Sequence, residues 1–375
     1  MKFQVERDVL ADAVAWTARA LPARPALPVL AGMRLQAHEE LTLSSFDYDV
    51  SAQASLPVAV EEEGDVLVSG RLLAEITRSL PPRLVEMVTD GSRTIVTCGS
   101  AQFSLLALPS EDYPALPEMP PSVGTVESDV FAAAVAQVAA AAGRDETTLP
   151  ALTGVRTEIE GEKLTLIATD RYRLAVRELR WNPAQPDLTA AVLVPGKALA
   201  DTARALTAGA EVSIALALPG DSGDGMIGFG GGGRRTTTRL LGGEFPRYQA
   251  LLPDQVNATA ELPVSALAES VKRVALVAER NTPVRLSFSA GQLLLEAGTG
   301  DEAQAVETVE ASYEGDDIQI AFNPTYLLDG LSAIDSDIAR IAFTAPSKPA
   351  VITGKPDGDA APDYRYLLMP IRLGS

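Results

Sequence analysis

Residues Val66–Leu80 read VLVSGRLLAEITRSL, and residues Val192–Leu206 read VLVPGKALADTARAL. The two stretches align without a gap. Each opens as a short β-branched strand, breaks at Gly70 or Gly196, and continues with apolar residues at helical spacing. A strand that turns at once into an amphipathic helix, present twice, predicts an internal repeat. A third and weaker copy is IQIAFNPTYLLDGLSAI at Ile318–Ile334. There Asn323 is placed to cap a helix and Pro324 to occupy its first turn.

A second set of helices agrees with the first. Arg7–Ala20, Ser128–Ala142 and Val264–Ala278 each precede one of those copies, with Leu10, Phe131 and Leu267 in equivalent places and Val14, Val135 and Val271 four residues on. That spacing predicts a buried stripe. Alternating segments such as Leu164–Thr169 and Val284–Phe288 predict antiparallel strands between the helices. Related turns, EDYPALP at Glu111–Pro117 and EFPRYQALLP at Glu244–Pro253, close the first two copies. The fold class is therefore read as α+β, a threefold repeat with domains at 1–121, 122–256 and 257–375, the boundaries falling at Pro-rich stretches.

Composition narrows the function. The chain has 375 residues, 46% hydrophobic and 22% charged, the balance of a soluble multidomain protein. Charged residues appear from Lys2 onward and no long apolar run occurs, so a signal peptide and a membrane span are not expected, and the location is read as cytoplasmic. Cys98 is the only cysteine and His38 the only histidine, which removes thiolate metal sites and most nucleophile–base pairs. His38 reads as a solvated turn residue, and no cofactor is expected. A carboxylate enzyme built on Asp170, Arg171 and Arg173 is the competing class, with Asp170 equally able to cap a turn. The Gly-rich Gly228–Arg235 (GFGGGGRR) lacks the lysine and following helix of a phosphate loop and reads as a flexible hairpin loop. Gly220–Gly225 (GDSGDG) has too few carboxylates for a calcium loop.

The net charge of −19 looks wrong for a protein that holds nucleic acid, so the cations have to be located. Arg71, Glu75 and Arg78 share one helix face, as do Lys197, Asp201 and Arg204, while Leu72, Leu73, Ile76 and Leu80 should turn toward the sheet. Lys272, Arg273 and Arg280 lie on or just past a helix of the third copy, and Arg19 and Arg24 on or just past one of the first. Thr325, Asp329 and Ser332 take the equivalent places in the third copy's other helix. The acid thus sits mainly on strands and loops. A solvated face would explain any one helix; its recurrence points to a weakly cationic surface suited to sequence-independent phosphate contact.

Five segments in order, MKFQVERDVL at 1–10, RPALPVL at 24–30, ATDRYRLAV at 168–176, EFPRYQALLP at 244–253 and YLLMPIRL at 366–373, resemble the beta subunit of bacterial DNA polymerase III, the replication sliding clamp. The resemblance covers the whole chain. It implies three similar domains per chain, each with two helices on antiparallel sheets, and a head-to-tail homodimer forming a six-domain ring around double-stranded DNA. It implies a non-catalytic processivity factor that tethers the replicative DNA polymerase, the clamp loader and repair polymerases through clamp-binding peptides. The DNA-facing cations implied are Arg24, Arg71, Arg78, Lys197 and Arg204, to which the helix positions add Lys272 and Arg273. The implied dimer contacts are Phe103 and Leu105 against Leu276, beside Ala275 where a larger residue is familiar. The implied peptide pocket comprises Leu152, Thr169, Arg171, Tyr172, Arg173, Leu174, Pro246, Leu251, Leu368, Met369, Pro370 and Ile371. Ala250 at its rim and RDETTLPA at Arg144–Ala151 depart from the family's pattern.

Overall fold

The computed structural model describes residues 1–145, 147, 149–207, 209–220, 225–253, 255–278, 282–298, 303–356, 358 and 361–372. Among them, six α-helices each begin within one residue of the end of a strand. They are α1 (Arg7–Thr17), α2 (Gly70–Ser79), α3 (Ser128–Ala139), α4 (Gly196–Ala205), α5 (Val264–Val274) and α6 (Pro324–Ser332). The glycines at the two sharpest junctions are required by close packing. A Cβ on Gly70 would meet Leu21 at 2.6 Å, and one on Gly196 would meet the Thr153 carbonyl oxygen at 2.7 Å. At α6 the Asn323 side chain accepts from the Thr325 and Tyr326 amides at 2.9 and 3.3 Å, with Pro324 in the first turn.

The expected stripe is buried: Leu10, Val14, Phe131, Val135, Leu267 and Val271 are all shielded from solvent. Helix ends are tighter than expected. The turns after α1 and α5 become 3-10 segments at Ala18–Ala20 and Ala275–Val277, and α3 stops at Ala139. Leu72 needs correction, because it is 46% exposed. The buried row of α2 runs through Leu73, Ile76, Thr77 and Leu80, and that spacing leaves Leu72 beside Arg71 on the outer face.

Every strand pairing among the described residues is antiparallel. The chain forms two compact units, Met1–Ala132 with Trp181–Pro186 and Ala198–Leu240, and Ala133–Arg180 with Asp187–Lys197 and Leu241–Ser375. The first unit carries a 14-stranded sheet, in which Arg234–Arg239 pairs with Val50–Leu56 and so joins sequence from two of the expected repeats. α1 packs on α2 and on Val50–Leu56. Trp16 lies buried between them, its indole N–H donating to the Gln53 carbonyl at 2.9 Å. Arg234 stands over that ring, pairs with Asp12 and donates to the Ala205 carbonyl at 2.9 Å.

The second unit holds a nine-stranded and a four-stranded sheet. Arg173–Arg180 pairs with Tyr364–Leu368, again joining two expected repeats across one ladder. α5 packs on α6 and on the strands Gln292–Ala297 and Ala305–Glu310, above a core that includes Phe288, Phe322 and Phe343. Segment 122–256 therefore supplies strands to both units.

The Gly-rich segment is a hairpin but less of a loop than expected. Met226–Gly231 and Arg234–Arg239 are paired strands, and only Gly232 and Gly233, at φ +58 and +76°, form the turn. Of Gly220–Gly225, residues 221–224 lie outside the described residues, as do Arg280 and Leu373. No helix among the described residues is long and apolar enough to cross a membrane.

Candidate functional site

The helix cations follow from the buried rows. With Leu73, Ile76 and Thr77 turned inward, Arg71, Glu75 and Arg78 must face out, and both arginines are exposed. Arg24, Lys197, Arg204, Lys272 and Arg273 are exposed as well. Arg71 donates to the Pro22 carbonyl at 2.8 Å, tying α2 to the loop that carries Arg24. Arg19 reaches the Asp201 carbonyl at 2.6 Å, and Arg204 pairs with the Asp201 carboxylate at 3.2 Å. Arg24, Arg71, Arg78, Lys197 and Lys272 form no ion pair among the described residues. Arg273, like Arg204, has a carboxylate partner, and a closer one. Glu307 receives its guanidinium at 2.5 and 3.1 Å, a bond that raises the pKa of Arg273 and lowers that of Glu307, so part of its charge is already matched.

A second site is built on the turn between Lys163–Thr169 and Arg173–Arg180. Asp170 Oδ1 accepts from the Tyr172 and Arg173 amides at 3.0 and 3.1 Å, and Thr169 Oγ1 donates to the Arg173 carbonyl at 2.7 Å. Asp170 is thus a turn cap. Arg171 is held at φ +79°, a left-handed conformation that costs a side chain about 1–2 kcal/mol. The Arg173 side chain is almost wholly buried. Its guanidinium meets Asp170 at 3.0 Å and Asp329 of α6 at 2.5 Å, and lies 4.4 Å from the centre of the Tyr326 ring. Burial alone would lower the Arg173 pKa, but the bond to Asp329 and the contacts with Tyr366 and Asp170 outweigh it, and the group stays charged.

This turn walls a cavity of about 370 Å³, within the range of ligand pockets. Leu152, Arg171, Tyr172 and Arg173 line it, as expected from sequence, and so do Arg144, Leu149, Tyr326 and Asp329, which were not expected. The sheet brings Leu174, Leu368 and Met369 beside the same turn. Arg173 pairs with Leu368 and Leu174 with Leu367, and the Met369 amide donates to the Tyr172 carbonyl at 2.9 Å. The Ile371 amide donates to the Ala321 carbonyl at 2.8 Å, which fixes the tail through Pro370. Ile167, Leu174, Val176, Tyr248 and Leu367 form a buried apolar cluster, with Phe245 and Leu252 packed against it. Thr169, Leu152 and Leu368 are buried, whereas Tyr172 (56%), Leu251, Pro246 and Met369 (41%) present accessible surface.

Comparison with known proteins agrees along the whole chain. Residues 1–117, 125–247 and 249–372 match, in turn, the N-terminal, central and C-terminal domains of the DNA polymerase III beta subunit. The chain is 62% identical to the beta sliding clamp of Streptomyces coelicolor, with both chains covered in full, and 46% identical to the beta sliding clamp homolog GriR of Streptomyces muensis over the same extent. The chain belongs to the DNA polymerase III beta subunit family. Among solved structures, the sliding clamp of Bacillus subtilis superposes with a TM-score of 0.90 at 26% identity, both chains covered in full. That of Pseudomonas aeruginosa bound to griselimycin does so at 0.90 and 28%, again with full coverage. Its function is that of a DNA sliding clamp, a non-catalytic subunit of the replication machinery, folded as three α+β domains.

Two strand edges bear on how a clamp of this family could assemble. Ala101–Leu108 pairs with Arg93–Cys98 along 101–106 but meets Gly64–Ser69 only at Ala107 and Leu108, so most of its other edge is free among the described residues. Ala305–Glu310 is one of the two outer strands of the four-stranded sheet. Phe103 and Leu106 are exposed on the first edge, and Val306 on the second. Leu276, in the turn after α5, is 84% exposed. Leu105 is only 2% exposed, so most of its side chain already packs inside the chain.

Sequence reasoning missed Tyr326 and Asp329 as neighbours of the turn. The Asn323 cap placed them in the first turns of a helix, but the contact of Arg173 with Asp329 spans 156 residues and has no local signal.

Proposed function

We propose that two copies of this chain join head to tail into a closed six-domain ring around duplex DNA, with domains at 1–121, 122–256 and 257–375. The observation that carries the reading is the recurrence of strand-to-helix units whose outer faces bear cations, in a chain of net charge −19. Arg24, Arg71, Arg78, Lys197, Arg204, Lys272 and Arg273 would meet phosphates across solvent. A few such contacts give weak, salt-sensitive binding without sequence preference. Weak adhesion suits a ring, which is retained by enclosure and has to slide. The acidic remainder would repel other DNA segments.

A head-to-tail contact is heterologous and has to close after two copies to avoid a filament. The free edges at Ala101–Leu106 and Ala305–Glu310, with Phe103 and Leu276 as exposed apolar anchors and Leu105 buried behind the first edge, supply two different surfaces for it. The cavity beside Tyr172, together with Leu174, Pro246, Leu251 and Leu368–Ile371 as further members of the same site, would take a short peptide carrying a glutamine and bulky apolar side chains. A few buried anchors would carry most of its energy, and Met369 can adapt to several partners. Those partners are the replicative polymerase, the clamp loader and repair polymerases, in the cytoplasm. Light scattering should give twice the 39.4 kDa of one chain, and small-angle scattering an envelope with a central opening. A compact monomer or an open filament would overturn the ring.

A further inference from the structure

The cavity of the second unit holds more charge than apolar anchors require. Arg144, Asp145, Asp170, Arg171, Arg173 and Asp329 all reach its wall. Most of these charges are committed. Arg173 lies between Asp170 and Asp329, and the Asp170 carboxylate also caps the turn. Asp145 is turned into its own loop, accepting from the Thr147 amide and hydroxyl at 3.0 and 2.6 Å. Two cations remain. Arg144 and Arg171 both reach solvent, and neither enters an ion pair among the described residues. Arg171 also occupies the left-handed place of the turn, where glycine would fit without strain, and no bond of its side chain within the described residues compensates for that.

We propose that Arg171, seconded by Arg144, is a specificity-determining residue of this cavity, selecting segments that carry a carboxylate beside their apolar anchors. The inference rests on the reading of the cavity as a peptide site. A guanidinium offers a planar fork of donors matched to a carboxylate, and the walls formed by Leu149, Leu152 and Tyr172 shield the pair from part of the solvent that would weaken it. The carboxylate can belong to an aspartate within the segment or to a free C-terminus.

The test uses the full chain and fluorescent nine-residue peptides sharing one glutamine and two bulky apolar residues. One pair has Asp or Asn between the anchors; a second pair, with Asn, has a free or an amidated C-terminus. Titration at low salt should give about fivefold to tenfold tighter binding to one carboxylate-bearing peptide than to its neutral twin, with the gap closing as salt rises. The pair showing the gap identifies the source. In the Arg171→Gly/Arg144→Ala variant the gap between the twins, both measured on that variant, should shrink below about twofold. Equal affinities in both pairs, or a gap that survives in the variant, would overturn this inference and leave the peptide site standing. No binding by any peptide, or binding unaffected by Met369→Asp, would overturn the peptide site and this inference with it.

Discussion

Arg173 and the cations of the helices carry the same kind of charge under opposite physical conditions. Arg173 is almost wholly buried, fixed by two carboxylates and an aromatic face, and cannot move without unmaking the turn that positions Tyr172 and Arg171. Arg78, Lys197 and Lys272 stand in solvent with no carboxylate partner among the described residues. Burial makes a charge strong, specific and costly to disturb; hydration makes it weak, forgiving and mobile. The cavity needs the first property to hold a shape. A surface that travels along a uniform phosphate lattice needs the second.

The largest expected effect falls on the buried side of that contrast. Arg173→Ala strips Asp170 and Asp329 of their cation and should cost about 3 kcal/mol in urea unfolding, at the low end for a buried pair because Asp329 is partly exposed. A loss below about 1 kcal/mol would show that the turn is held by its backbone alone. Leu276→Asp should come next, acting between copies. Placing a charge in an apolar contact should turn the dimer into folded monomers at micromolar concentration, read by sedimentation, with each monomer's unfolding midpoint nearly unchanged.

Smaller effects belong to the solvated side. Replacing Arg71, Lys197 and Arg204 together with alanine should leave stability within about 0.5 kcal/mol. The salt slope of DNA binding should fall by about 0.9 for each phosphate that the variant no longer neutralises. An unchanged slope would remove these residues from the DNA-facing set. The smallest is Arg171→Gly, where relief of the left-handed backbone is offset by the larger entropy of glycine in the unfolded chain. Its stability should shift by less than about 1 kcal/mol, so that any change in peptide preference is a property of the site.

Much of the helix side was legible in sequence, because its signals are local. The glycine after each of two strands, the apolar rows at Leu10 and Val14 and their counterparts, and the Asn323–Pro324 cap each fix structure within a few residues. Exposure of Arg71 and Arg78 then follows from helical geometry. Leu72 was misplaced because a row of four leucines and isoleucines is wider than the face the sheet can cover. The cavity was only half legible. The turn at Thr169–Arg173 declares itself through Asp170, but its wall depends on Asp329 and Tyr326, brought in by a helix far along the chain. The pairing of Arg234–Arg239 with Val50–Leu56, and of Arg173–Arg180 with Tyr364–Leu368, likewise had no local marker, since any alternating strand with a free edge could have taken either place.

On the ring reading, enclosure and not adhesion keeps this protein on DNA. The most direct measurement of this is the lifetime of enzymatically loaded protein on a nicked circular duplex and on the same duplex cut once. A ring held by topology should remain on the circle at a salt concentration that abolishes phosphate contact, and should run off the cut molecule within its sliding time. Equal lifetimes on the two, both falling with salt, would mean that phosphate contact and not enclosure holds the protein.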